Sequence, residues 1–228
     1  VNDVIKPGTA LALFPTKALA QDQLKGFGHL AIPNLVAATY DGDTDPDNRR
    51  WARQNANVIL TNPEMLHCAL LPHHEKWATF LMRLRYVVID ELHVLRGVFG
   101  THVAQILRRL RRLVLHYGGV EPTFVFTSAT VGEPERLASQ LCGSPVTAIT
   151  DDASPRGHRS IALWNPAAED RSSSDDGRWS VHAEAGLLAA RLIRSGMRTL
   201  VFCRSRRGTE LVAADIRRAV GPDDSDRI

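Results

Sequence analysis

Cysteine is scarce in this chain of 228 residues: Cys68, Cys142 and Cys203 lie far apart, with no C-x-x-C pair among them. That opposes a disulfide framework and a zinc site, and it suits a reducing cytoplasm. Lysine is scarce too, because 24 of the 28 cations are arginine. Arginine suits bidentate contact with phosphate, although it also rises with genomic GC content, as alanine does. No apolar run is long enough to span a bilayer, and the first residues resemble no signal peptide, so membrane partners are not expected. No G-x-S-x-G elbow is present to support a serine hydrolase built on Ser128, His93 and Asp90. The chain has no Gly-Lys pair, and hence no G-x-x-x-x-G-K-S/T loop. It does not begin with methionine and runs quickly into a core strand, so it reads as a piece of something longer.

What is present is ordinary globular stock. The hydrophobic share is 44%, the net charge +3 and the pI about 9.0, which permits nucleic acid without demanding it. Strand and helix signals alternate, the mark of a mostly parallel α/β sheet. Strands are expected at Ala10–Phe14, Leu35–Tyr40, Asn57–Leu60, Tyr86–Ile89, Thr123–Thr127 and Pro145–Thr150. Helices are expected near residues 18–27, 47–54, 99–117 and 134–141. The run Asp41-Gly42-Asp43-Thr44-Asp45-Pro46-Asp47 lacks EF-hand spacing and reads as a tight turn. Arg49, Arg50 and Arg53 behind it read as a solvated face. Arg108, Arg109, Arg111 and Arg112 read mainly the same way, with nucleic acid as the other option. From Asp151 to Gly157 the composition is that of a hinge, and Asp170–Arg178 reads as a polar loop. A second unit then begins, with strands at Ile161–Trp164 and Thr199–Cys203 and helices at 181–194 and 209–220. The expected domains are therefore 1–157 and 158–228.

The organising stretch is Arg85-Tyr86-Val87-Val88-Ile89-Asp90-Glu91-Leu92-His93. A continuous apolar run reads as a strand buried on both faces. It delivers two carboxylates to the carboxyl edge of the sheet, where open α/β folds bind ligands. Side chains alternate along an extended backbone, so Asp90 and Glu91 can take different jobs: one beside magnesium, one orienting a water. Elsewhere, Lys17 and the amides opening its helix suit a phosphate, with Thr16 as a plain helix cap the alternative. Thr61 and Asn62 can cap the following helix or hold a phosphate in the same way.

The signals keep a fixed order. Phe14-Pro15-Thr16-Lys17-Ala18-Leu19-Ala20-Gln21-Asp22-Gln23-Leu24 is followed by Leu60-Thr61-Asn62-Pro63-Glu64-Met65-Leu66-His67. Then come Asp90-Glu91-Leu92-His93, Ser128-Ala129-Thr130 and Leu200-Val201-Phe202-Cys203-Arg204-Ser205. This order resembles the superfamily 2 nucleic-acid helicases, in their DEAD/DEAH-box-like branch with a D-E-x-H box. Tyr40-Asp41-Gly42-Asp43-Thr44 and Arg96-Gly97-Val98-Phe99-Gly100 make it similar to the Hrq/SftH group of bacterial DNA helicases.

The resemblance implies two RecA-like domains, the first partial and the second only begun, with ATP in their cleft and a nucleic-acid strand, DNA by preference, across both. It implies that Asp90 holds Mg2+ through water, that Glu91 activates the attacking water and that His93 links the two sites. Ser128 and Thr130 would couple hydrolysis to domain movement. Thr16, Lys17, Thr61, Asn62, Arg204 and Ser205 would lie along the strand's backbone, contacts that position without reading sequence. Two other readings stay open: a helicase-like nucleic-acid-binding or interaction module without ATPase activity, and another P-loop ATPase such as a restriction-enzyme motor.

Overall fold

The structure, a computed structural model, describes residues 8–129, 131–151, 153–155, 157–164 and 180–221. Thr130, in the coupling triplet, and the polar run at 170–178 lie outside the described residues. The chain forms two compact units, Val1–Ser154 and Pro155–Ile228.

In the first unit five strands pair in parallel: β1 (Thr9–Leu13), β2 (Ala37–Thr39), β3 (Val58–Thr61), β4 (Leu84–Ile89) and β5 (Thr123–Phe126), in the order β2-β3-β1-β4-β5. Helix α1 (Lys17–His29) follows β1, and α2 (Pro46–Asn55) follows β2. Two short helices, α3 (Pro63–Met65) and α4 (Ala78–Met82), flank a π-helical turn at Leu66–Leu70. Helix α5 (Gly97–His116) follows β4, and α6 (Pro134–Cys142) follows β5.

Alternation along the strands divides the apolar residues between the two sheet faces. Leu11, Leu13, Ile59, Val87 and Ile89 join the stripe Val103, Ile106, Leu107, Leu110 and Val114 of α5 in the main core. Ala12, Val58 and Leu60 point the other way, into a smaller cluster against Ala20 of α1. Gly118, at φ +76°, allows the chain to leave α5 in a left-handed turn.

The expected double-sided burial of the central strand is not what forms. Tyr86 is 55% exposed, and Val125 on the neighbouring strand is 42% exposed. They lie on the face that α1 covers, but beyond its reach: the α1-side cluster takes in β1, β2, β3 and Val88 of β4 and leaves Tyr86 and Val125 open on that side.

In the second unit α7 (Val181–Arg194) packs on α8 (Arg206–Val220) through Ala189, Val212 and Ile216. Gly186 permits the close approach, since a Cβ there would lie 3.0 Å from Asp215 Cβ. Val201 and Cys203 face these helices, whereas Leu200 and Phe202 face outward, Phe202 at 88% exposure. That two-residue alternation is strand-like, yet Thr199–Cys203 forms no ladder, and neither do Pro145–Thr150 and Ile161–Trp164. A strand exists only by pairing, and no described strand runs beside these three segments.

Candidate functional site

Because all five strands are parallel, their carboxyl ends share one edge. The strand order then sorts the motifs along it. The turn Asp41–Asp45 comes first, then Thr61-Asn62, then Thr16-Lys17, then Asp90–His93, and last Thr127-Ser128. The acids occupy one half of the edge and the backbone-contact candidates the other.

The acid half is cross-linked. The amide of Asp90 donates to the carbonyl of Leu13 at 2.9 Å, so the strand's hydrogen bonding continues one residue past β4. Glu91 then turns into the left-handed region at φ 56° and ψ 47°. A non-glycine residue there is held against its preference, typically at about 1–3 kcal/mol. Two bonds hold it. Glu91 N–H donates to Asp90 Oδ1 at 2.9 Å, and Leu92 N–H donates to the Thr127 carbonyl at 2.9 Å. The backbone therefore turns sharply between the two acids, instead of continuing the strand alternation expected from sequence.

Thr127, which the sequence pattern did not single out, donates its hydroxyl to Asp90 Oδ1. Asp90 Oδ2 has no partner among the described residues, which leaves one carboxylate oxygen available to a water on a magnesium ion. His93 Nδ1 lies 3.1 Å from Glu91 Oε2 and 3.5 Å from Ser128 Oγ. Glu91, His93 and Ser128 thus form a connected line from the end of β4 to the end of β5.

The other half contains the strand-contact candidates. Thr16 caps α1, accepting from Leu19 N–H at 3.3 Å, and Asn62 caps α3, accepting from Met65 N–H at 2.8 Å. Thr61 is 2% exposed and donates its hydroxyl to the Tyr40 carbonyl, so that side chain is turned inward and already engaged within the fold. Lys17 pairs with Asp43, whose hydrogen bond and negative charge raise the lysine pKa above its ordinary value. A phosphate on Lys17 has to displace that carboxylate.

The acidic turn is anchored at Asp41. Burial pushes the Asp41 carboxyl up, but hydrogen bonds from Gln21, Thr44 and the amides of Asp43 and Thr44 outweigh it and hold the carboxyl below its usual range. Arg49 donates to the carbonyls of Asp41 and Gly42 at 2.8 and 3.2 Å and lies over the Tyr40 ring. Arg53 reaches the Tyr40 hydroxyl at 3.5 Å. Arg49 therefore clamps the turn and Arg53 leans on Tyr40, instead of forming the solvated face expected of them; of the three arginines only Arg50 behaves that way.

In the second unit Ser205 caps α8, accepting from Gly208 N–H at 3.1 Å, and Arg204 is exposed.

Known proteins resemble this chain in sequence and in fold. The profile of the family described as DEAD/DEAH box helicase matches residues 2–137. The ATP-dependent helicase YprA of Bacillus subtilis, itself uncharacterized, is 42% identical over 92% of this chain. The ATP-dependent helicase HRQ1 of Saccharomyces cerevisiae is 40% identical over 92% of it. The chain spans only 28% and 20% of those two relatives.

Among solved structures, the DUF1998 helicase MrfA bound to DNA and AMPPNP superposes with a TM-score of 0.85 at 41% identity, over 93% of this chain and 30% of that one. Helicase Lhr of Mycobacterium smegmatis, bound to ssDNA and AMP-PNP, superposes at 0.67 and 25% identity, over 93% of this chain and 28% of that one. With the family profile matching more than half of its length, the chain belongs to the DEAD/DEAH box helicases: it carries a RecA-like α/β core of superfamily 2, related to the HRQ1, YprA, Lhr and MrfA helicases.

Proposed function

We propose that residues 1–228 form the hydrolytic and strand-gripping middle of an ATP-dependent DNA helicase of the Hrq/SftH group. The observation that carries this is the order of the sheet edge, which sets the two acids after β4, linked to Thr127 and Ser128 after β5, beside the helix starts after β1 and β3. DNA as the substrate is supported by MrfA and Lhr, whose structures contain it. The three free thiols suit a cytoplasmic setting.

When bound, ATP supplies the phosphoryl group and magnesium the charge that offsets it. Asp90 would hold the magnesium through water, with Thr127 fixing one of its oxygens. Glu91 would orient and deprotonate the attacking water, from a left-handed turn held by Asp90 Oδ1 and the Thr127 carbonyl. His93 and Ser128 would carry the state of that acid towards β5 and, with Thr130, to domain movement. Lys17, the α1 and α3 amides, Arg204 and Ser205 would hold the strand's backbone, while Thr61 orders the turn beneath. No G-x-x-x-x-G-K-S/T run occurs within these residues, so the grip on the phosphates has to come from elsewhere in the protein.

In the full-length protein, Glu91→Gln is expected to retain ATP binding and lower turnover on the order of 100-fold or more, the scale of a lost general base. Near-normal turnover would remove Glu91 from that role. Binding of DNA with no turnover in the unaltered protein would favour the module without ATPase activity.

A further inference from the structure

The first turns of α5 and α6 wall a cavity of about 480 Å³, lined by Leu95, Ala104, Leu137 and Leu141 on its apolar side. Three arginines line it as well, Arg96, Arg108 and Arg136, with Glu133 the one acid among the lining residues. Glu133 pairs with Arg136 at 3.0 Å, so the rim carries an excess of two positive charges. Arg96 and Arg108 are exposed and make no ion pair among the described residues. Their neighbours on α5 are engaged differently: Arg109 donates towards His67 Nδ1 at 2.8 Å, and Arg111 pairs with Glu121 and reaches the Cys142 carbonyl.

The wall beside Arg96 is fixed. Gly97 sits at φ +58°, and a Cβ on Gly100 would meet the Leu95 carbonyl at 2.4 Å. Val98 and Phe99 stand out of this turn, Phe99 at 46% exposure. The wall begins two residues after His93, and α6 starts a few residues after Ser128, so the cavity lies at the same sheet edge as the strand-contact candidates.

We propose that this cavity receives one nucleotide of the nucleic-acid strand, its two flanking phosphates on Arg96 and Arg108 and its base against the apolar floor. The inference rests on the helicase reading above. A guanidinium fork fits phosphate bidentately, and an apolar floor accepts the face of any base, so the contact is sequence-tolerant. The volume falls in the range of small-ligand sites, roughly 300–1,000 Å³. A free mononucleotide has the same chemistry, and the experiment separates the two sources.

The full-length protein, Arg96→Ala/Arg108→Ala, Gln105→Trp and Lys17→Ala are titrated with a fluorescent oligo-dT at several salt concentrations, with and without AMP. Gln105→Trp fills the cavity while keeping both charges; Arg112→Ala, on the same helix outside the cavity, is the control. The double variant is expected to bind about tenfold more weakly, and its log–log salt slope should be shallower by about 0.7 for each lost phosphate contact. Gln105→Trp should weaken binding with little change of slope, Arg112→Ala should match the unaltered protein, and AMP should not compete. Unaltered affinity and slope in the double variant, with Lys17→Ala weakened, would overturn the cavity while leaving the helicase reading intact. AMP binding that the double variant loses while it keeps the oligonucleotide would assign the cavity to free nucleotide instead. Absence of oligo-dT binding by the unaltered protein would overturn the helicase reading itself.

Discussion

Thr127 shows how much one hydroxyl can decide. Its bond to Asp90 Oδ1 depends on the pairing of Ile89 with Phe126, which sets the ends of β4 and β5 side by side. A hydrogen bond to a charged group is typically worth about 1.5–3 kcal/mol, and without it Asp90 has lost one of the two donors that fix Oδ1. In the full-length protein Thr127→Val is expected to weaken the apparent affinity for Mg2+ in ATP turnover by about tenfold or more, and Thr127→Ser to restore it. A Mg2+ titration of turnover checks this; identical curves for the valine variant and the unaltered protein would leave Thr127 a packing residue. Asp90 and Glu91 stand out in sequence because acids after an apolar run are conspicuous, and His93 stands out through the D-E-x-H resemblance. Thr127 does not, because its partner is fixed by strand register, which a one-dimensional pattern does not carry.

At the scale of elements, the helices were the most legible part. The expected helix at 181–194 forms as Val181–Arg194, and the apolar stripe of α5 is buried as its spacing predicts. Segments whose structure depends on a distant partner were not legible. Thr199–Cys203 has a strand's composition and alternation but no ladder, and Arg49 and Arg53 look solvent-facing until Tyr40 folds beneath them. The turn that Arg49 clamps yields a pH-dependent prediction. The Asp41 carboxyl is held below its ordinary range, so its stabilising effect is complete above the unfolded value, about pH 4, and is lost as pH falls through the lower folded value. Asp41→Ala removes the acceptor for the amides of Asp43 and Thr44 and is expected to loosen the turn by about 1–3 kcal/mol at neutral pH. Hydrogen exchange of the peptide spanning Tyr40–Asp45 should quicken accordingly in the variant, and the difference from the unaltered protein should narrow in strong acid. Equal exchange at pH 7 would show that Arg49 alone holds the turn.

For the molecule as a whole, what matters is how this stretch behaves by itself. On the α1 face Tyr86 of β4 and Val125 of β5 stand exposed, and Phe202 and Leu200 stand out from the second unit. Exposed apolar side chains of this kind promote association. The acids are in place, but no G-x-x-x-x-G-K-S/T run within residues 1–228 aligns a γ-phosphate against water. Residues 1–228 alone are therefore expected to bind an apolar dye, to associate as concentration rises and to show no DNA-stimulated ATP hydrolysis. The curated relatives are several times longer, so the full-length protein is expected to show neither the dye binding nor the association, and to hydrolyse ATP. Val125→Thr and Tyr86→Thr in the isolated chain should reduce association without creating turnover, because surface and phosphate grip are separate deficits. Light scattering and ATP turnover with and without single-stranded DNA, on both lengths, make the comparison. DNA-stimulated turnover by residues 1–228 that disappears with Glu91→Gln would mean that a phosphate grip exists within this chain that no glycine-lysine loop supplies.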